Sequence, residues 1–381
     1  MPSPDDSSLL VVCGVWDARG GLQLQLQSLV ADVTSTGGRV TVLTWSRRPG
    51  RTVEGGLTVV RLPTPWPWTG ELPGWRGALN VVAALCTGVP AALALRRRWT
   101  VAFAAGLNPE ALVAVIAAWL GRRRAVARTW LVGEWGNVSR LQRSPIAPLL
   151  WRLLRRTEIV AETEEGVDEL VAAGMDRGRI RLVTYGVDLD HWRAPTAAER
   201  EAARRRLGVD GAAGVVVWCG RFDLKQKRLD VLLAGWKDAA VPGWRLVLAG
   251  DGPDAGTVGQ LASGLDPAPV LVPWQDDPRW VLAAADAFAQ PTDAETTGQA
   301  LLEGLAMGLP GIVSATPSLR TRAPAGVVLV PNEAGAWAAA VTAMAADGER
   351  RTLHGADGRA WVAGRHDQRR RLGELRAVLG V

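Results

Sequence analysis

The chain has 381 residues, 48% of them hydrophobic and 22% charged, which describes an ordinary folded protein and is long enough for two domains of roughly 150–200 residues. The net charge is +6, yet only Lys225, Lys227 and Lys237 are lysines, and the arginines stand in short clusters at the ends of apolar stretches, where cations suit a helix C-terminus; no nucleic-acid partner is expected. Cys13, Cys86 and Cys219, with His191, His354 and His366, are too few and too scattered for a disulfide framework or a metal centre.

The first residues, "MPSPDDSS", are acidic ahead of the apolar run, unlike a secretory signal, so a cytoplasmic location is expected. Residues 9–13 read as a strand that meets Gly14 and then the pair Gly20 and Gly21, before a helix closing at Gly37 and Gly38. "RVTVLTW" is a second strand. The segment 62–75, "LPTPWPWTGELPGW", is a loop whose tryptophans are either exposed or folded back onto the core. Residues 78–95, the longest uncharged stretch, are interrupted by Gly88 and Pro90 and read as a buried helix rather than a membrane span. "PIAPLLWRLLRR", 145–156, suits an interfacial helix or a core helix with a solvated arginine face, which leaves peripheral membrane contact open. After a polar segment at 193–214, with the linker placed at 192–196, the pattern restarts with "GVVVWCGRFD", "RLDVLLAGWKDA" and "WRLVLAG". Strands alternating with helices imply an α/β architecture with parallel sheets. The two starts share the order strand, Cys, Gly, any residue, aromatic, Asp, at Cys13–Asp17 and Cys219–Asp223.

In open α/β sheets ligands bind beyond the carboxyl ends of strands. Gly20 and Gly21 lead into a helix N-terminus, which favours an anion. "GRFDLKQKR" sets Arg221 and Lys227 after a strand, two cations able to grip a diphosphate. "AGDGPD" holds Gly250 and Gly252 in a tight turn with close backbone approach. In "PTDAETTGQALLE", Glu295 belongs to a loop, Gly298 opens a helix and lets amides near a phosphate, and Glu303 lies about one and a half turns in, suited to a neutral polyol. Asp17 and Glu134 follow strand-like runs and are the acceptor-side candidates, with loop solvation the plainer reading. Arg221 as a salt-bridge residue and Glu295 as a helix cap are the corresponding plain readings.

The run from "CGRFDLKQKRLDVLL" through "LVLAGDGP" to "PTDAETTGQALLEGLAMGLPG" and "GVVLVP" resembles the C-terminal domain of the retaining glycosyltransferases of family four, which have the GT-B fold. Glu295 and Glu303 match that family's Glu-x7-Glu motif. The resemblance is strong over 158–335, weaker over 9–45, and slight over 46–157, where such enzymes shape the acceptor site. It implies two Rossmann-like domains facing across a cleft: 1–192 binding the acceptor, 193–357 binding the sugar nucleotide, and a C-terminal helix at 358–381 packing back toward the first. It also implies metal-independent, retaining transfer from a nucleotide-diphosphate sugar, with no cofactor, to a hydroxyl or amine of a small acceptor. Arg221 and Lys227 would bind the diphosphate, Glu295 the transferred sugar and Glu303 the ribose. Amides near Thr296, Thr297, Gly298, Gly20 and Gly21 would cradle the phosphates. The chain departs from the family in "ETTG" for "EGFG", in Tyr185 for the usual asparagine, and in having no histidine before His191. A lipid-linked acceptor, or a non-catalytic nucleotide-binding GT-B protein, are the alternatives.

Overall fold

A computed structural model of the chain describes residues 8–17, 20–66, 74–107, 109–143, 147–295, 298–321 and 323–381. It divides into two compact units, Met1–Thr184 with Arg370–Val381, and Tyr185–Arg369.

The first unit is built on β1 (Ser8–Val12), β2 (Arg39–Ser46), β3 (Gly50–Glu54), β4 (Leu57–Pro63), β5 (Val101–Ala104), β6 (Arg124–Arg128), β7 (Glu158–Ala161) and β8 (Ile180–Leu182), in the order β3-β4-β2-β1-β5-β6-β7-β8. Neighbours are parallel except for β3, an antiparallel edge on β4. β1 is apolar after Ser8 and buried at every position, as a central parallel strand covered on both faces must be. Its alternate residues feed two cores: Leu10 and Val12 one, Leu9 and Val11 the other.

The second unit repeats the plan with β9 (Gly214–Arg221), β10 (Trp244–Asp251), β11 (Val270–Val272), β12 (Ala287–Gln290), β13 (Gly311–Ser314) and β14 (Val327–Val330), all parallel, in the order β11-β10-β9-β12-β13-β14. Val215 and Val217 of β9 enter one core, Val216 and Trp218 the other. In both sheets the strand order reverses at one point, between β1 and β5 and between β9 and β12. The two similar sequence starts therefore occupy equivalent strands. The helix Ala197–Leu207 opens as its sequence dictates: Thr196 and Glu199 form a reciprocal capping box, a device worth about 1 kcal/mol.

The units divide elsewhere than the sequence boundaries. Residues 185–192 go with the second unit because Val187 and Trp192 are buried in its core, and Val187 bridges to Asp367. Residues 358–365 continue the helix Gly348–Arg365, and a β-carbon on Gly358 would stand 2.7 Å from Leu305, so that helix also stays with the second unit. The helix Gln368–Leu379 alone returns, burying Leu372, Leu375 and Leu379 in the first unit.

Of two helices weighed in the sequence, one takes the core position that was one of its two readings and the other is not buried as expected. The helix Ala147–Leu154 buries Leu150, Trp151 and Leu154 in the first unit's core and leaves Arg152 outside, the pattern of a core helix. The helix Gly74–Ala94, expected to be buried, covers one narrow stripe and exposes Trp75, Leu79 and Val82. β4 runs to Pro63 and this helix starts at Gly74, so both ends of the loop expected at 62–75 belong to regular elements; residues 67–73 lie outside the described residues.

Candidate functional site

In the second unit the carboxyl ends of β9 and β12 flank the strand-order reversal, the crevice position of a doubly wound sheet. β9 ends on Arg221, whose Nη2 donates to Asp223 Oδ2 at 2.7 Å and whose side chain is half exposed. Asp223 caps the short helix Leu224–Lys227 by accepting from the Gln226 amide at 3.1 Å. Lys227 Nζ pairs with Glu295 Oε2, both largely buried. Gln226 staples the two loops together: its carbonyl accepts from Asp293 N at 2.9 Å and Thr292 Oγ1 at 3.0 Å, and its Nε2 donates to the Ala294 carbonyl at 3.0 Å. Arg228 adds bonds to both Asp293 carboxylate oxygens at 3.0 and 3.2 Å. The expected residues Arg221, Lys227 and Glu295 thus border one pair of cross-linked loops. Sequence reading missed the linking residues Gln226, Thr292 and Asp293.

Gly298 caps the following helix, Gln299–Ala306, with φ 84°, and a β-carbon there would stand 2.6 Å from Gln290 Nε2. Only glycine fits that conformation and that gap. Glu303 sits within this helix, 5% exposed, accepting from Gln299 Nε2 at 3.1 Å. Burial pushes its carboxyl up to about 8, against the lowering effect of the Gln299 bond. Thr296 and Thr297 lie outside the described residues. Gly250 and Gly252 have a reason within the chain: a β-carbon would fall 1.9 Å from the Gly220 carbonyl or 2.4 Å from the Phe222 carbonyl, and the Gly252 amide already donates to Asp251 Oδ1 at 2.8 Å. Their glycine character needs no ligand.

In the first unit Gly20 and Gly21 stand at the N-terminus of the helix Gly21–Ser35, after β1, with no side-chain cap and no acidic residue in the first turn. Asp17 is exposed and held by Arg61 Nε and Nη2, each at 2.9 Å. Glu134 is exposed in the turn Gly133–Trp135. The buried carboxyl at this edge is a different one, Glu110, in the first turn of the helix Pro109–Leu120 after β5. Burial pushes it up to about 7, against bonds from backbone amides that include Gly14. Its Oε2 has no partner among the described residues. A β-carbon on Gly106 would stand 3.0 Å from Trp130 Nε1 and 3.6 Å from Glu110 Oε1, so that glycine keeps a space open beside both. Arg128 and Glu162, at the ends of β6 and β7, form a 2.8 Å pair, each side chain 3% exposed. The sequence did carry a signal for Glu110: it is the only charge in the run 99–121.

Neither switch-point cysteine is poised as a nucleophile. Burial pushes the Cys13 thiol up to about 12 and raises that of Cys219 as well. Among the described residues no group of three His, Cys, Asp or Glu side chains is arranged to hold a metal ion.

Comparison with known proteins follows this division of the chain. A family profile described as "Glycosyl transferases group 1" matches residues 213–347, the sheet and loops of the second unit. A D-inositol 3-phosphate glycosyltransferase of Xylanimonas cellulosilytica is 31% identical over 217 residues, 53% of this chain and 52% of that protein, so the chain matches about half the relative's length. Solved structures resemble the whole chain at low identity. HepE of Anabaena, in complex with UDP and glucose, superposes with a TM-score of 0.79 at 16% identity, covering 98% of this chain and 99% of that one. A sucrose-phosphate synthase of Thermosynechococcus elongatus gives 0.75 at 18% identity, covering 97% and 98%. The fold is GT-B, two Rossmann-like domains in one chain, as the sequence resemblance implied.

Proposed function

We propose that the protein is a glycosyltransferase that moves a sugar from a nucleotide-diphosphate sugar, held by the second unit, to a hydroxyl or amine of a small acceptor held by the first. The observation that carries this is the convergence of Arg221, Lys227 and Glu295 at the β9 and β12 carboxyl ends, with buried Glu303 in the helix that follows. Two fixed cations beside a helix N-terminus suit a diphosphate, and they are most valuable as negative charge develops on the leaving phosphate. The ion pair with Glu295 keeps Lys227 extended toward the loop, and the incoming diphosphate exchanges with that carboxylate for the ammonium. Glu295 is then free to accept from a hydroxyl of the transferred sugar. Glu303, kept neutral near pH 7 by burial, takes the ribose hydroxyls without setting another negative charge beside the diphosphate.

The reading includes retention of anomeric configuration. The bond from the anomeric carbon to the phosphate oxygen breaks as the bond to the acceptor oxygen forms on the same face. The departing phosphate oxygen receives the acceptor's proton, so no side-chain base is required. It also includes turnover without an added metal ion, action in the cytoplasm, and UDP as the nucleotide to try first, since HepE carries it. The test is a panel of UDP, GDP and TDP sugars against polyol and phenolic acceptors, read by mass spectrometry, with EDTA present and Lys227→Met as control. A new glycoside from the wild type, with the anomeric configuration of the donor by NMR, supports the reading. Nucleotide binding without transfer to any acceptor supports a non-catalytic nucleotide-binding role instead.

A further inference from the structure

The helix Gly74–Ala94 has no charged residue after Arg76, and only 22% of its apolar stretch is buried. Its inner stripe is Asn80, Ala84, Gly88 and Ala92, spaced by four as a helix face requires. That stripe is fixed to the first unit. A β-carbon on Gly88 would lie 2.9 Å from both Trp45 and Val113, Trp45 Nε1 donates to Thr87 Oγ1 at 3.1 Å, and Trp99 Nε1 donates to the Ala92 carbonyl at 2.9 Å. The opposite stripe is Trp75, Leu79, Val82, Cys86 and Pro90, all exposed. A surface helix normally turns polar residues to this side; a continuous apolar outer face marks a surface that something covers.

Charge identifies the occupant. Arginines stand at both ends of the face: Arg76, stacked at 5.6 and 5.1 Å on the Trp66 and Trp75 rings, and Arg96–Arg98 at the other end. Next to Arg96–Arg98 the helix Pro109–Leu120 ends in exposed Trp119 and Leu120, followed by Arg122 and Arg123, with Arg123 over the Trp99 ring at 5.5 Å. Between Glu71 and Glu134 the only carboxylate in the sequence is Glu110, which is buried. A second copy would bring arginines against arginines, whether the helices ran parallel or antiparallel. An anionic bilayer surface complements both features, with headgroups for the arginines and tryptophans and acyl chains for the aliphatic stripe.

We propose that the outer face of the helix Gly74–Ala94 docks the protein, lying flat, onto a membrane surface rich in anionic lipid. Because the inner stripe is packed on β2 and the helix Pro109–Leu120, the helix lies on the bilayer and does not cross it. The proposal is independent of the transfer reaction, and its test makes no use of turnover. The full-length protein is floated with vesicles of phosphatidylcholine alone and of phosphatidylcholine mixed with phosphatidylglycerol. Expected are binding to the anionic vesicles, loss of it in Leu79→Glu/Val82→Glu, and weakening on the order of a hundredfold when Arg96, Arg97 and Arg98 all become Gln. Leu79 and Val82 are 47% and 55% exposed, so the double variant keeps its unfolding midpoint. No binding at low salt overturns the proposal, as does binding that the double variant retains. A wild-type dimer that the double variant converts to monomer, without vesicle binding, assigns the face to self-association and equally overturns it.

Discussion

Replacing Glu303 by glutamine separates the electrostatic cost of this buried carboxyl from its proposed part in binding. Burial raises its pKa from 4.5 to about 8, a difference between folded and unfolded states worth on the order of 5 kcal/mol. The sign follows from the direction of the shift. Below about pH 4.5 both states are protonated and the neutral side chain costs the fold nothing. Between about 4.5 and 8 the unfolded chain has lost its proton while the folded one keeps it, so stability falls as pH rises, then levels once the folded carboxyl ionises. Glutamine does not titrate, and its carbonyl can still accept the Gln299 bond. Urea unfolding followed by tryptophan fluorescence at pH 5, 7 and 9 measures the difference. The variant should stand within about 1 kcal/mol of the wild type at pH 5 and exceed it by roughly 3–5 kcal/mol at pH 9. In the same variant UDP affinity should drop about tenfold or more, since a carboxyl bonded to a ribose diol has been replaced by an amide. Parallel stability curves across that range would refute the assignment of Glu303 as a buried, neutral acid.

Further substitutions at two places probe the framework around the candidate sites. Gly298→Ala places a β-carbon 2.6 Å from Gln290 Nε2 at φ 84°, so a loss of about 2 kcal/mol or more is expected in the same unfolding assay; an unchanged midpoint would show that the helix start is not held as described. Arg128→Met strands the buried Glu162 carboxylate, with an expected loss of roughly 3–5 kcal/mol, and adding Glu162→Met should restore most of it.

The second unit was legible because its chemistry and its fold share one local code. The β9 and β12 runs are apolar, their carboxyl ends carry the charges, and Gly298 marks a helix start that tolerates no side chain. The linking role of Gln226 was not legible, since its bonds to Thr292, Asp293 and Ala294 join residues far apart in sequence. The first unit was legible as strands and helices and poorly as a site. Asp17 and Glu134 were singled out for following strand-like runs, but position in a run does not report burial, and both are exposed. Glu110 carried the informative pattern, a single carboxylate in an apolar stretch, of the kind that drew attention to Glu303. Gly250 and Gly252 show the converse: close approach was read correctly, but the atoms approached belong to the chain itself. The helix Gly74–Ala94 was misjudged because apolar composition indicates that a surface will be covered, without indicating by what.

The central claim, a nucleoside diphosphate site at the β9 and β12 carboxyl ends, is tested most directly by titrating UDP into the wild type and into Lys227→Met by calorimetry. The account predicts saturable binding to the wild type and at least a tenfold loss in the variant, a difference of about 1.4 kcal/mol or more. Absence of binding by UDP, GDP and TDP alike, or equal affinity in the two proteins, would contradict it.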